Sequence, residues 1–377
     1  MQTLLVKLHK YTGLIAGLLL SVTGISGSLV VFDRELDELI TPATSDFNPV
    51  AELASFDLAL DNASRAVDNG TRPTRIMVGR DSSAPHIVRF PTPEGSPGPI
   101  EVSIHPGNGE VLAVRGWGEY PVTWIYRLHL NFLAGHVGET LVGILGICLL
   151  FFCISGVIIW WPKAGAWKRA FSIRRDAGAF RLNFDIHKTV GIYLLPVYLI
   201  LALTGIEIVW HEPVEKIVSA VLPVSAEPSP LSDRNAASTG GRIYADRVAE
   251  TASSIFPDSR INRIYLPSSE DAPWRVTFIQ PGETWREYGP SSVYIDQYSG
   301  TVLDVLDSQN LPAGSTLLQW LFPLHNGDAL GFIGRLLIFF AGLMPALLFG
   351  TGVYMWLKKR GKARTASSRD ENLVHVS

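Results

Sequence analysis

Four apolar runs, residues 11–32, 140–161, 190–210 and 336–357, constrain this chain of 377 residues more than anything else in it. Each matches the ~20 residues a helix needs to cross a hydrocarbon layer ~30 Å thick, and each exceeds the length of an ordinary buried helix. The chain therefore reads as an integral membrane protein rather than a soluble domain. The remaining charge is segregated. Segment 163–188 carries Lys163, Lys168, Arg169, Arg174, Arg175, Arg181 and Lys188 against Asp176 and Asp185, and the tail adds Lys358, Lys359, Arg360, Lys362 and Arg364. The positive-inside rule then puts both termini and the basic loop in the cytoplasm, with the polar segments 33–138 and 211–334 on the far side. A bacterial-type inner membrane is the expected location. The first run is too long for a signal peptide and ends in Phe32-Asp33-Arg34 with no small-x-small site, so it reads as an uncleaved span.

The sequence says the same thing twice. LHKYTG and IHKTVG open the first and third runs, each with a glycine four residues after its histidine (Gly13, Gly191) and a later Thr-Gly pair (Thr23-Gly24, Thr204-Gly205). Before the second and fourth runs, LHLNFLAGHVGETLVGILG from Leu128 aligns without a gap on LHNGDALGFIGRLLIFFAG from Leu324, and the register continues through Ser155-Gly156 against Thr351-Gly352. A duplicated unit of span, exported segment and span orients both copies alike, with a pseudo-twofold axis along the membrane normal. Each exported segment reads as a helix (near 58–68 and 244–255) followed by strands and a closing hairpin, EVSIHPGNGEVLAV or SVYIDQYSGTVLDVL. The expected fold is an α-helical integral membrane protein: a four-helix transmembrane bundle from a tandem duplication, with two exported α+β modules.

Histidine is part of what is repeated. Within 185–212, His187 and His211 stand at opposite ends of an apolar stretch, roughly 36 Å apart along an unbroken helix. The duplication pairs His9 with His187 on the cytoplasmic side and His129 with His325 on the outer side. A lone interfacial histidine is more often a hydrogen-bonded side chain than a ligand, but two imidazoles facing each other across a twofold are what a six-coordinate haem iron needs. Two b-type haems per chain are expected, held non-covalently, because no C-x-x-C-H stretch exists for attachment. Cys148 and Cys153, the only cysteines, point in different directions on one helix and cannot pair. His136 and His211 have no counterpart in the other copy and stand as reserve ligands, whereas His86, His105 and His375 read as surface residues.

Small residues along the first two spans (Gly13, Gly17, Gly24, Gly27, Ser28, Gly143, Gly146) leave room either for a macrocycle or for helix packing. Lys7, Lys10, Lys188, Arg127 and Arg335 are placed to meet propionates. Glu207, inside an apolar run, needs a partner, which Arg335 or His211 would supply. Pro196 and Pro345 should kink the third and fourth spans.

These motifs, LHKYTG and IHKTVG, the LH…G..G approaches, the SG…WWPK exit and the hairpins HPGNGEVL and DQYSGTVL, resemble the PepSY-associated transmembrane proteins over nearly the whole chain, and within them the inner-membrane ferric-siderophore reductases. The resemblance implies haem ligation by His9, His187, His129 and His325, two PepSY-like modules and reduction of an iron(III) chelate outside the membrane. His105 stands where the PepSY hairpin usually has Asp. The segments are then 1–34, first span; 35–127, first module; 128–162, outer approach and second span; 163–186, basic loop; 187–211, third span; 212–323, second module; 324–358, outer approach and fourth span; 359–377, basic tail. Expected partners are a ferric siderophore, membrane lipid and a quinol or flavin-type electron donor, with no nucleic acid; no flavin or nicotinamide motif identifies that donor. A non-enzymatic PepSY protein that regulates a partner such as a peptidase, and a transporter, are the competing readings.

Overall fold

The computed structural model describes residues 2–44, 47–236, 241, 243–283 and 288–374. In the first copy α1 (Gln2–Val30) passes into α2 (Asp33–Ile40), whose first turn carries Asp33 and Glu35, where the helix dipole favours negative charge. Then come α3 (Phe56–Val67), β1 (Arg75–Met77), β2 (His86–Arg89), β3 (Ile100–Ile104) and β4 (Val111–Gly116). α4 (Pro121–Asn131) starts on a proline, a good first-turn residue because its missing N–H would be unpaired there anyway, and α5 (Gly135–Trp160) follows. The short α6 (Trp167–Ala170) lies in the basic loop. The second copy contains α7 (Ala179–Tyr193), α8 (Leu195–Val209), α9 (His211–Ser219), α10 (Ala245–Ile255), β5 (Arg260–Tyr265), β6 (Trp274–Ile279), β7 (Ser291–Ile295), β8 (Val302–Leu306), α11 (Ala313–Asn326) and α12 (Gly331–Val374).

Among the described residues three helices are long and apolar enough to cross a membrane: α1, α5 and the stretch Asp328–Gly361 that includes most of α12. α7 and α8 reach that length only together, and they bend by 61° at their junction. Pro196, in the first turn of α8, explains the break, since proline lacks the N–H that would bond back and its ring crowds the preceding turn. The break also absorbs a length difference between the copies: His9 to Thr23 is 14 residues, whereas His187 to Thr204 is 17. His187 and His211 are thus not joined by one straight helix. α12, by contrast, continues through Pro345 as a single helix.

α1 packs along α12, α5 along α8, and α7 against α12. The α1–α12 crossing is close because Gly24 meets Gly342: a Cβ on Gly24 would sit 2.3 Å from the Gly342 carbonyl oxygen. Ser28 Oγ donates to Phe339 O across it at 2.7 Å. Gly143 and Gly146 likewise receive Trp210 and Ile206, so these glycines serve helix packing.

The segments between the spans, expected to be two separate modules, do not form separate modules. Their strands make one antiparallel sheet in the order β4-β3-β2-β1-β5-β6-β7-β8, with β1 and β5 as the seam (Ile76 opposite Ile264). Ile76, Val88, Val102, Ile264, Val276 and Val293 face α3 and α10 and are fully buried. The two helices are tied reciprocally at their first turns. Asp57 accepts from the backbone N–H of Ala245 and Asp246 at 2.8 and 3.1 Å, and Asp246 accepts from Phe56 N–H at 2.7 Å and from Ser55 Oγ. Burial raises the Asp57 pKa; the same effect at Asp246 is outweighed by the Ser55 and Phe56 hydrogen bonds, which hold it below the usual carboxylate range.

His86 is not a surface residue. It occupies an inward position of β2, packs against Phe56 at 5.6 Å and accepts from Gly79 N–H through Nδ1 at 2.9 Å. Burial pulls its pKa down to about 4. Its period-two alternation with Val88 was the available signal. His105 packs on Phe47 at 4.5 Å, and His375 lies outside the described residues.

Candidate functional site: two histidine pairs

The four repeat-related histidines meet in two pairs. His9 and His187 have ring centroids 6.5 Å apart, and His129 and His325 are 6.3 Å apart. Each pair takes one ring from each copy. His129 bonds to Thr23 of α1, which lies 14 residues beyond His9 on the same helix, about 21 Å at 1.5 Å per residue, so the pairs stand near opposite ends of the helical bundle.

The hydrogen bonds fix the protonation of every ring. His129 Nδ1 lies 2.9 Å from the Thr23 carbonyl oxygen and His187 Nδ1 lies 3.0 Å from that of Leu348; a carbonyl only accepts, so both Nδ1 atoms must donate. His9 Nδ1 meets Ser155 Oγ at 2.7 Å, but that hydroxyl already donates to Phe151 O at 2.6 Å. His325 Nδ1 meets Thr204 Oγ1 at 2.8 Å, and Thr204 donates to Ile200 O at 2.7 Å. All four rings thus carry their proton on Nδ1 when neutral. Their Nε2 lone pairs remain, and among the described residues none of these atoms has a hydrogen bond.

Glycines make room for the rings. A Cβ on Gly27 would fall 2.6 Å from His129 Cε1, and Cβ atoms on Gly205, Gly156 and Gly352 would meet the Cε1 atoms of His325, His9 and His187 at 3.5, 3.9 and 3.8 Å. The His129–His325 pair opens on a cavity of about 340 Å³ whose lining includes Leu20, Leu145, Leu201 and Pro345, within the ~300–1,000 Å³ range of small-molecule and cofactor sites. Phe152 stands edge-on to His9 at 5.2 Å beside the His9–His187 pair.

Chemically, each pair offers two imidazole nitrogens to one centre. A metal ion that took one nitrogen from each ring at about 2 Å would fit between centroids roughly 6 Å apart, close to the spacing of both pairs. Among the described residues no group of three or more His, Cys, Asp and Glu side chains converges. A donor set of two suits a metal that brings its other ligands with it.

The remaining candidates are held elsewhere. His136 is exposed and 3.4 Å from Glu139, while His211 Nδ1 binds Glu207 at 2.5 Å, which gives that buried carboxylate its partner. Arg335 instead donates to Val31 O and Glu35, both at 2.8 Å, and stacks on Phe32. Lys188 is bound by Asp185 at 3.0 Å, Lys10 lies over Tyr11, and Arg127 reaches Gly118 O at 3.5 Å. Sequence reasoning overlooked the hydroxyls and carbonyl that orient the rings. The signal was present: a Ser/Thr-Gly pair recurs in all four spans, at 23–24, 155–156, 204–205 and 351–352.

The sequence profile of the PepSY-associated TM region matches residues 6–359. An uncharacterised protein of Pseudomonas aeruginosa is 24% identical over 277 residues, 65% of this chain and 65% of that protein, so the chain spans slightly less than two thirds of that relative.

Proposed function

The chain belongs to the PepSY-associated TM family, and on that premise we propose that it is an inner-membrane haem protein of the ferric-siderophore reductase type. The observation that supports this most is the tautomer of the four paired histidines: every Nδ1 is fixed by a hydrogen bond, so every Nε2 presents a lone pair, the arrangement that ligating histidines adopt when a carbonyl or hydroxyl takes their other proton. His9 and His187 would hold one b-type haem, and His129 and His325 the other. Haem bound between two imidazoles supplies a one-electron couple. The chain's own part is to fix the rings, exclude water with an apolar lining and present the outer pair toward the exported sheet.

Four crossings fit this reading best. One sheet built from both exported segments requires both to emerge on the same side, which α1 and α5 permit only if the bent pair α7–α8 also crosses. The substrate in this proposal is an iron(III) chelate, because Fe(II) is held far less tightly by hard oxygen donors and so is released. The electron donor is of quinol or flavin type, and both termini are cytoplasmic.

Purified protein is expected to give the reduced-minus-oxidised spectrum of a six-coordinate b-type haem at two haems per chain. His9→Ala and His129→Ala should each remove one. Protein that stays haem-free after expression with ample haem would end this reading.

A further inference from the structure

On the sheet face turned away from α3 and α10, cross-strand neighbours form one continuous row. From β4 it runs through Arg115, Glu101, Arg89 and Arg75 to the seam, then through Tyr265 and Arg275 toward β8. This face looks onto the outer ends of the membrane helices. Arg115 grips Asp37 of α2 through two contacts of 2.8 Å, and Tyr120, which precedes α4, donates to Glu101 at 2.9 Å. Next to the row, Arg263 lies over Tyr288 at 4.5 Å, and Tyr288 meets Phe322 at 5.5 Å; Phe322 lines the cavity that holds His129 and His325.

Charges along the row are matched except at one step. Arg115 has Asp37, Arg89 has Glu101, and Arg275 has Glu227 at 2.7 Å. Arg75 sits directly opposite Arg89, and like charges so placed in a sheet are destabilising. Among the described residues no carboxylate pairs with Arg75, and its buried Nε has no acceptor; its ring contact is with Tyr265, 5.6 Å away. Burial, then Arg89, lowers its pKa. A half-buried guanidinium facing another, at the centre of the sheet and beside two tyrosines, has no anionic partner among the described residues.

We propose that Arg75, with Arg89 and Tyr265, binds an anionic, oxygen-donor metal chelate and holds it between the sheet and the outer histidine pair. This rests on the iron-chelate reading above and narrows it to negatively charged complexes. Aromatic donor rings suit the site, because a guanidinium plane and a tyrosine face both stack on flat groups.

The test uses full-length protein in detergent and isothermal titration with gallium(III) tris-catecholate, an anionic complex that cannot be reduced and needs no electron donor. The neutral gallium(III) tris-acetohydroxamate and inorganic phosphate are the comparisons. The anionic complex should bind, the neutral one at least about tenfold more weakly, and Arg75→Gln should weaken the anionic complex by roughly tenfold or more without changing the neutral one. Arg75→Lys, which keeps the charge but not the planar fork, should fall between, and it stands in if the glutamine variant does not fold. Unchanged affinity in both variants, equal binding of the two complexes, or phosphate displacing the chelate at equal concentration would overturn the assignment. Because gallium is not reduced, haem-free protein that still binds in this pattern upholds the site while ending the reductase reading. Haem-loaded protein with unchanged binding in both variants does the reverse.

Discussion

Thr204 is a small residue with a large consequence, since its hydroxyl determines which nitrogen of His325 faces the cavity. Replacing it with valine keeps the shape but removes the acceptor, so the ring loses its fixed tautomer. Loss of such an orienting partner typically costs ~10–100-fold in metal affinity. On the haem proposal, Thr204→Val should therefore weaken haem retention at the His129–His325 pair, and Ser155→Ala at the His9–His187 pair, each measured during dialysis. Gly27 makes a steric counterpart. Gly27→Ala places its Cβ 2.6 Å from His129 and on the same proposal should disturb the His129–His325 haem alone, whereas Gly13→Ala, whose nearest neighbour is 3.9 Å away, should leave both haem spectra intact. The pairing of the rings was legible because the repeat matched four of nine histidines. Their tautomers were not, because these depend on where backbone carbonyls of other helices fall. His86 makes a third case at this scale. Its pKa is about 4 folded and near 6.5 unfolded, so the unfolded chain takes up a proton first as pH falls, and stability is lost between those values. Going from pH 7 to pH 5 should cost the eight-stranded sheet about 2 kcal/mol. Amide hydrogen exchange of β2 should report that loss in the wild type and not in a His86→Phe variant.

Among the elements, α3 and α10 are coupled by an exchange of carboxylates in which each helix supplies the acceptor for the other's unpaired N–H groups. Capping interactions of this kind contribute about 1 kcal/mol apiece. Asp246→Ala should therefore raise exchange at the β1–β5 seam, with Asp57→Ala acting in the same direction by less, because burial already disfavours its charge. The positions of these helices and of most strands followed from alternation and turn residues in the sequence. The exchange itself did not, because Asp57 and Asp246 are 189 residues apart in sequence and nothing local marks either as a partner. The break between α7 and α8 was legible as Pro196, while Pro345 met the same expectation and α12 ran on. Neighbouring helices re-satisfy freed backbone groups inside a membrane, so proline alone does not decide the outcome.

At the scale of the whole molecule, the duplication was plain from the sequence but its closure was not. Strands β1 and β5 are edge strands of their own halves, and an edge strand does not announce its partner. Their pairing makes one sheet of two repeats, just as each histidine pair draws one ring from each repeat. Each histidine is nevertheless oriented within its own copy: His9 by Ser155, His129 by Thr23, His187 by Thr351 and His325 by Thr204. The chain is thus a covalently fused dimer whose only covalent link between copies is the basic loop. Cutting that loop should yield a two-piece protein: fragments 1–170 and 171–377, produced together, should copurify and re-form both histidine pairs, while either fragment alone should expose an open strand edge, self-associate, and carry only one ring of each pair.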